Sequence, residues 1–257
     1  MKFRNILGID FGGSGIKAAP VDAKTGQLLD SRHRIPTPPS GTPDEITEVM
    51  QQLVGHFRWK GPVGIGFPSV VKDGIIKTAA NIHRNWVGTD ASKMIYKKIK
   101  LPVCILNDAD AAGLAEMKFG VGSKVKGVVL LITVGTGIGT VLFTKGKLVP
   151  NTELGHITLP SGVEAEIYAS DAARERENLE WVSWAKRFNT YLQEMEKLLW
   201  PELIIIGGGV SKKWDLFKKE IHVDTKIVMA STFNEAGIIG AALACRINRD
   251  SLKKKFR

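Results

Sequence analysis

The residues best suited to chemistry in this chain stand in and beside three glycine-rich turns. Asp10 is followed by Gly12, Gly13, Ser14 and Gly15, and then by Lys17. An apolar run at 6–9 leads into this turn and a second run at 16–21 leaves it. The pattern predicts a β-hairpin whose tight turn lets backbone N–H groups approach an anion, with the Asp10 carboxylate beside it and the Ser14 hydroxyl inside it. The spacing of a Walker loop is absent, and the segment after the glycines is strand-like, which excludes a Rossmann turn. A second segment repeats the design: Thr133, Gly135, Thr136, Gly137 and Gly139 join the apolar runs 128–134 and 138–144. In a third, Gly207, Gly208 and Gly209 directly follow the apolar run 203–206.

Two polar groups could work on a substrate held near such turns. Asn107 and Asp108 end the run 103–107 and precede a small-residue helix at 109–119. A carboxylate at the C-terminal edge of a strand suits general-base work, and one at a helix N-terminus equally suits a backbone cap. Both readings of Asp108 stand on the residues alone. Glu153 and His156 follow the second hairpin in a turn, where they could bind hydroxyls. For His156 alone a hydrogen-bonded structural histidine is the simpler reading. No cysteine lies nearby, and the Glu-x-x-His pair matches no closed zinc set.

The elements that must position these residues can be read from periodicity. Strands are expected at 5–11, 15–21, 28–35, 63–67, 103–107, 128–134, 138–144, 203–206 and 227–230. A helix at 44–57 carries Ile46, Val49, Met50, Leu53 and Phe57 on one face and opens with the capping-box residues Thr42 and Glu45 around Pro43. Another, at about 179–199, has the core stripe Trp181, Trp184, Phe188, Leu192, Met195 and Leu199. A terminal helix is expected at 236–247. The two hairpins form a weak internal duplication, so two similar α/β halves would face each other across a cleft, each offering an anion-binding turn.

Composition bounds the rest. At 257 residues the chain makes one large domain or two of ordinary size, and 44% hydrophobic with 24% charged residues is globular. No apolar run approaches the roughly 20 residues of a membrane span, and the N-terminus lacks a signal-peptide core. Because the strand signal begins near residue 3, no leader and no N-terminal DNA-binding domain are expected. Cys104 and Cys245 lie far apart in apolar contexts, which suggests reduced core residues and a cytoplasmic protein. The net charge of +10 is partly clustered: Lys93, Lys97, Lys98 and Lys100 form one group, Lys212, Lys213, Lys218 and Lys219 another, and 253–257 a basic tail. Such a field either attracts polyanions or is a solvated surface without function. No helix-turn-helix, zinc-finger or aromatic RNA-binding pattern is present, so nucleic acid is not an expected partner.

Taken together, the stretches from Asp10 to Lys17, Thr133 to Gly139, Glu153 to His156 and Gly207 to Ser211 resemble sugar kinases of the ROK type. Those kinases belong to the actin-like, hexokinase-like superfamily. Further stretches narrow the resemblance to its polyphosphate-dependent glucokinase branch: Thr78-Ala-Ala-Asn81, Trp86 to Asp90, Leu106 to Glu116, Asn151 to His156, Arg174 to Trp181 and Gly207 to Lys213. It covers about residues 5 to 245. The resemblance implies two actin-like, ribonuclease H-like α/β domains flanking a central cleft. The expected limits are 1–107, with a C-terminal helix at about 236–250 packing back onto it, and 108–235. It also implies transfer of a phosphoryl group from inorganic polyphosphate, with ATP as a second donor, to the 6-hydroxyl of glucose. Asp108 would be the base. Asn81, Asn107, Glu153, His156 and Glu166 would join it in holding the sugar. Asp10, Gly12, Gly13, Ser14, Gly15, Lys17, Thr133, Gly135, Thr136, Gly137, Gly207, Gly208, Gly209, Lys212 and Lys213 would grip the donor. Asp10 would orient Mg²⁺ through water, and the protein would be a homodimer.

Two departures from the family pattern matter. Many relatives carry a cysteine-rich zinc segment after the Glu-x-Gly-His residues, but 157–165 contains no cysteine, so no structural zinc is expected. A Gly-x-Pro-Gly turn appears as Gly66-Phe67-Pro68-Ser69, and Ser69 would restrict a conformation that glycine permits. The alternatives are an ATP-dependent glucokinase, a glucomannokinase that also takes mannose, and, in a different class, a sugar-sensing or polyanion-binding protein without catalysis.

Overall fold

The computed structural model describes residues 4–80, 82–232 and 235–247. The chain divides into two compact units, one formed by Met1–Ala115 with Asn234–Arg257 and the other by Glu116–Phe233.

In the first unit, β1 (Asn5–Gly12) and β2 (Gly15–Asp22) form the expected hairpin, with Gly12 paired to Gly15 across a two-residue turn. The single strand expected at 28–35 is instead two, β3 (Gln27–Leu28) and β4 (His33–Ile35), both on β2. The pairing register slips by two residues between Val21↔Leu28 and Ala18↔His33. The polar stretch from Asp30 to Arg32 loops out because it offers the sheet no apolar side chain to bury. Next, α1 (Pro43–His56) starts with the full Thr42–Glu45 capping box. β5 (Val63–Phe67) follows, then the small ribbon of β6 (Val71–Lys72) and β7 (Ile75–Ile76). A helix absent from the expectation, α2 (Ala91–Ile99), is capped by Asp90, whose carboxylate takes the Lys93 N–H at 3.0 Å. β8 (Val103–Asn107) completes the main sheet, in the order β3-β2-β1-β5-β8, and α3 (Asp108–Phe119) leads into the second unit.

β1, β5 and β8 are parallel, and each face of their sheet is covered. Leu7, Ile9, Phe11, Ile65 and Phe67 pack against Ile46, Met50 and Leu53 of α1 and Ile95 of α2. The opposite face, with Ile6, Ala19, Val21 and Cys104, packs against Ile238, Ala242 and Cys245 of the terminal helix Ala236–Ile247. Burial of each large aliphatic side chain contributes about 1.5–3 kcal/mol. Glycines set how closely that helix can sit. Gly8 and Gly64 are neighbours across β1 and β5, and a Cβ at either would collide with the carbonyl of Ile238 or Ala241.

The second unit repeats the plan. β9 (Val128–Val134) and β10 (Ile138–Thr144) form the second hairpin, extended by β11 (Lys147–Val149). Two short helices, α4 (Ala165–Ala169) and α5 (Asp171–Arg176), precede the long α6 (Trp181–Leu199). β12 (Leu203–Gly208) and β13 (Ile227–Met229) finish a sheet of order β11-β10-β9-β12-β13. An antiparallel hairpin followed by two parallel strands is the order of β2-β1-β5-β8, so the duplication extends from the turns to the sheets. Trp184, Phe188, Tyr191, Leu192 and Met195 of α6 are buried in this unit's core. Among the described residues no helix is long and apolar enough to cross a membrane.

Candidate active site

In the first unit the candidates gather where the parallel strands end. Asp10 on β1 pairs with Gly66 on β5, and Phe67 pairs with Asn107 on β8, so the Gly12–Gly15 turn, the 66–69 turn and Asn107-Asp108 share one sheet edge. Ligands of parallel α/β sheets bind outside the carboxyl ends of strands. The Asp10 carboxylate lies 3.7 Å from the Lys17 Nζ. Its burial pushes its pKa up, and the Lys17 ammonium works against that. Thr37 donates its hydroxyl to the Gly12 carbonyl at 2.7 Å, pinning the turn from outside.

Asn107, not Asp108, makes the N-cap bond of α3: its Oδ1 accepts the Asp110 N–H at 3.0 Å. Its Nδ2 donates to the Ser69 carbonyl at 3.2 Å, and the Ser69 hydroxyl donates to the Thr78 carbonyl at 2.6 Å. Ser69 is not among the described residues with a positive φ, so the serine that stands in the 66–69 turn is accommodated and used. The Asp108 carboxylate accepts the N–H of its neighbour Ala109 at 2.8 Å and stays half-buried at the helix start. Asn81 lies outside the described residues.

In the second unit the donor and sugar candidates lie together at one end of the sheet. Thr133 and Val134 pair with Gly207 and Gly208, which places the turn Gly135-Thr136-Gly137 beside the third glycine turn. Gly208 has φ +78, and a Cβ on it would strike the backbone of Val134. Lys212 and Lys213 are exposed in the 3-10 segment Gly209–Leu216 that comes next. Glu166, on α4, accepts the Ile138 N–H at 2.8 Å, and a Cβ on Gly137 would collide with its carboxylate. The N–H groups of Asp171 and Ala172 bind the Gly135 carbonyl at 3.0 and 3.3 Å. Leu154, between Glu153 and His156, is anchored through its N–H to the Thr140 hydroxyl at 2.9 Å.

His156 stands between two carboxylates, with Nδ1 at 2.6 Å from Glu164 Oε1 and Nε2 at 3.7 Å from Glu153 Oε2. The hydrogen bond to Glu164 raises its pKa, with further help from the charges of Glu166, Glu164 and Glu153. Burial raises the pKa of Glu153, the His156 charge opposes that, and Glu166 adds to it. Ligand-type atoms of His156, Glu164 and Glu166 lie within 4.8 Å of one another, with Nδ1 already committed to Glu164. Sequence reasoning missed Glu164 and Thr140. A carboxylate eight residues after His156, in a segment with no regular period, gives no signal until the chain folds back, as the bridge between Thr158 and Glu164 does.

The profile of the ROK family matches residues 6–173. The chain is 43% identical over 242 residues, 94% of its length and 91% of the relative's, to polyphosphate glucokinase of Mycobacterium tuberculosis strain CDC 1551 / Oshkosh. Among solved structures it is similar to the inorganic polyphosphate/ATP-glucomannokinase from Arthrobacter sp. strain KM. The TM-score is 0.89 at 43% identity, covering 95% of this chain and 99% of that one. A ROK family glucokinase from Streptomyces griseus, in complex with glucose and AMPPNP, shares the fold at 24% identity and TM-score 0.77, covering 93% of this chain and 98% of that one.

Proposed function

This chain belongs to the ROK family, and on that premise we propose that it is a polyphosphate-dependent glucokinase with Asp108 as its general base. The observation that carries the reading is the 43% identity to a polyphosphate glucokinase across 94% of the chain. The placement of Asn107-Asp108 at the same sheet edge as the Gly12–Gly15 turn supports the role of Asp108.

In the reaction the glucose 6-hydroxyl gives its proton to the Asp108 carboxylate as its oxygen attacks the terminal phosphorus of the donor. A P–O bond forms to the sugar, the bridging P–O bond breaks, and a shortened polyphosphate leaves. General-base help of this kind is typically worth about 10²–10⁴ in rate. Asn81, Asn107, Glu153, His156 and Glu166 bind the other sugar hydroxyls. A wrong epimer leaves such a group unpaired at about 1–3 kcal/mol. The N–H groups of the turns at 12–15, 135–137 and 207–209, with Ser14, Thr133, Lys17, Lys212 and Lys213, hold the phosphates in line, where positioning and charge neutralisation dominate.

Phosphoryl transfer by sugar kinases works with a divalent metal, which neutralises charge on the phosphate oxygens. In this reading the metal would be Mg²⁺, and Asp10 is the residue that would hold it, through water. A single half-buried carboxylate beside a phosphate-binding turn suits an ion that keeps most of its waters. ATP as a second donor and mannose as a second acceptor are supported by the similarity to the polyphosphate/ATP-glucomannokinase. A cytoplasmic location rests on the apolar sequence contexts of Cys104 and Cys245, which suit reduced core residues. A homodimer rests on the family resemblance and is checked by light scattering.

The test is the initial rate of glucose 6-phosphate formation from glucose with polyphosphate and with ATP, in parallel, with Mg²⁺ present. Product with polyphosphate is expected. No product with either donor removes the kinase reading, and product with ATP alone replaces it by an ATP-dependent glucokinase. Asp108→Asn should bind glucose while turnover falls by at least about 10².

A further inference from the structure

Asp10, Lys17 and Arg34 stand in one row across three strands. Asp10 on β1 pairs with Lys17 on β2, and Lys17 pairs with Arg34 on β4. Lateral partners project from the same face of a sheet, and so do residues two apart along a strand. Gly12 and Gly15, two positions beyond Asp10 and before Lys17, therefore share that face. Arg34 is exposed by position, yet its guanidinium is fixed. Nη2 donates to the Ser14 carbonyl at 2.5 Å, and a Cβ on Gly15 would run into the guanidinium. Gly15 is thus required by the arginine lying over the turn.

The charges along this row are uneven. Lys17 is answered by Asp10 at 3.7 Å. Among the described residues no carboxylate lies within ion-pair distance of Arg34. A guanidinium carries five N–H donors in a planar fork that suits phosphate oxygens, more than one backbone carbonyl accepts. Pinning it on a glycine turn removes most of the rotamer entropy that a mobile arginine would lose on binding.

We propose that Arg34 is a phosphate-donor-binding residue, whose guanidinium takes non-bridging oxygens of the polyphosphate held at the Gly12–Gly15 turn. The inference rests on the polyphosphate-dependent reading of the chain and adds a ligand to its donor site.

Two variants separate the charge from the clasp on Ser14. Arg34→Gln keeps a neutral donor for the Ser14 carbonyl, and Arg34→Lys keeps the charge. Binding of long-chain polyphosphate is measured by titration calorimetry without glucose, alongside KM for polyphosphate and for glucose and the thermal midpoint. Arg34→Gln should weaken polyphosphate binding and raise its KM about tenfold, the scale of one charge-assisted hydrogen bond. Its KM for glucose should stay within about twofold of wild type on the same grounds, and Arg34→Lys, which keeps the charge without the planar fork, should recover only part of the loss. The dependence of polyphosphate KM on salt should also flatten in Arg34→Gln. Wild-type polyphosphate binding in Arg34→Gln overturns the inference. So does a parallel rise of both KM values with a lowered thermal midpoint, which marks a clasp that serves only the fold. A wild-type enzyme that makes no product with polyphosphate refutes the parent reading instead, so the two failures are distinct.

Discussion

The Glu166 carboxylate takes the backbone N–H of Ile138 at 2.8 Å, tying a side chain proposed for the sugar to the strand that leaves the second glycine turn. On that proposal one residue would have two duties, and two substitutions separate them. Glu166→Gln can keep an acceptor on Ile138 while losing the charge, so KM for glucose should rise roughly 10-fold with a small effect on donor KM. Glu166→Ala loses the acceptor as well, and both KM values should rise. An unchanged glucose KM in Glu166→Gln would assign the side chain to the turn alone.

The Glu164–His156 contact at 2.6 Å holds the imidazole proton to higher pH than usual. Because the folded-state pKa is raised, the stabilisation from this pair is fully present below about pH 6.5 and fades as pH rises through the folded value. Both side chains are more than a third exposed, so solvent screening keeps the effect on stability small. In Glu164→Gln the His156 midpoint, followed by NMR, should move down towards the ordinary histidine range. A midpoint that does not move removes the link.

Burial raises the pKa of Asp10, despite the opposing Lys17. A carboxyl group raised in the folded state favours folding while protonated, and that advantage is lost as pH rises through the folded value. The ionised form of Asp10 is therefore a cost to the fold. Asp10→Asn should unfold at a temperature equal to or above wild type at pH 7, with the difference vanishing towards acid pH. Its phosphoryl transfer should fall steeply, as expected of a residue kept for function. A variant destabilised at pH 7 would show that the pair with Lys17 outweighs the burial.

Gly64→Ala places a methyl group against the Ala241 carbonyl of the terminal helix. Overpacking of this kind costs about 1–3 kcal/mol, and thermal denaturation should show it. Gly135→Ala adds its Cβ where no atom lies within 4 Å and should leave the midpoint near wild type.

Much of the fold is legible because apolar strands bounded by glycine or proline have only one short reading. Val63–Phe67, Val103–Asn107, Val128–Val134 and Ile138–Thr144 fall where their patterns put them. α2 was hidden by its charge: Lys93, Lys97 and Lys98 read as a basic cluster, although Met94, Ile95 and Ile99 follow Asp90 at helical spacing. The three glycine turns and Asn107-Asp108 are equally plain, since each directly follows a strand. Arg34 and Glu164 were not, because what qualifies them is proximity to Ser14 and His156 across a fold-back. Local spacing does not encode such contacts.

The first unit takes its core from both sides of the second: its sheet comes from residues before 116, and the helix that seals Gly8 and Gly64 from 236–247. On the ribosome this sets an order. Once the early strands are made, roughly 6–24 s pass at ordinary elongation rates before their covering helix is even synthesised. The second unit, continuous in sequence, can complete its core first. During that interval one face of the nascent sheet, with Ile6 and Val21 on it, stays uncovered. Apolar surface left uncovered in that way is prone to aggregate, so helix-truncating changes near 236–247 should lower soluble yield before they alter any kinetic constant.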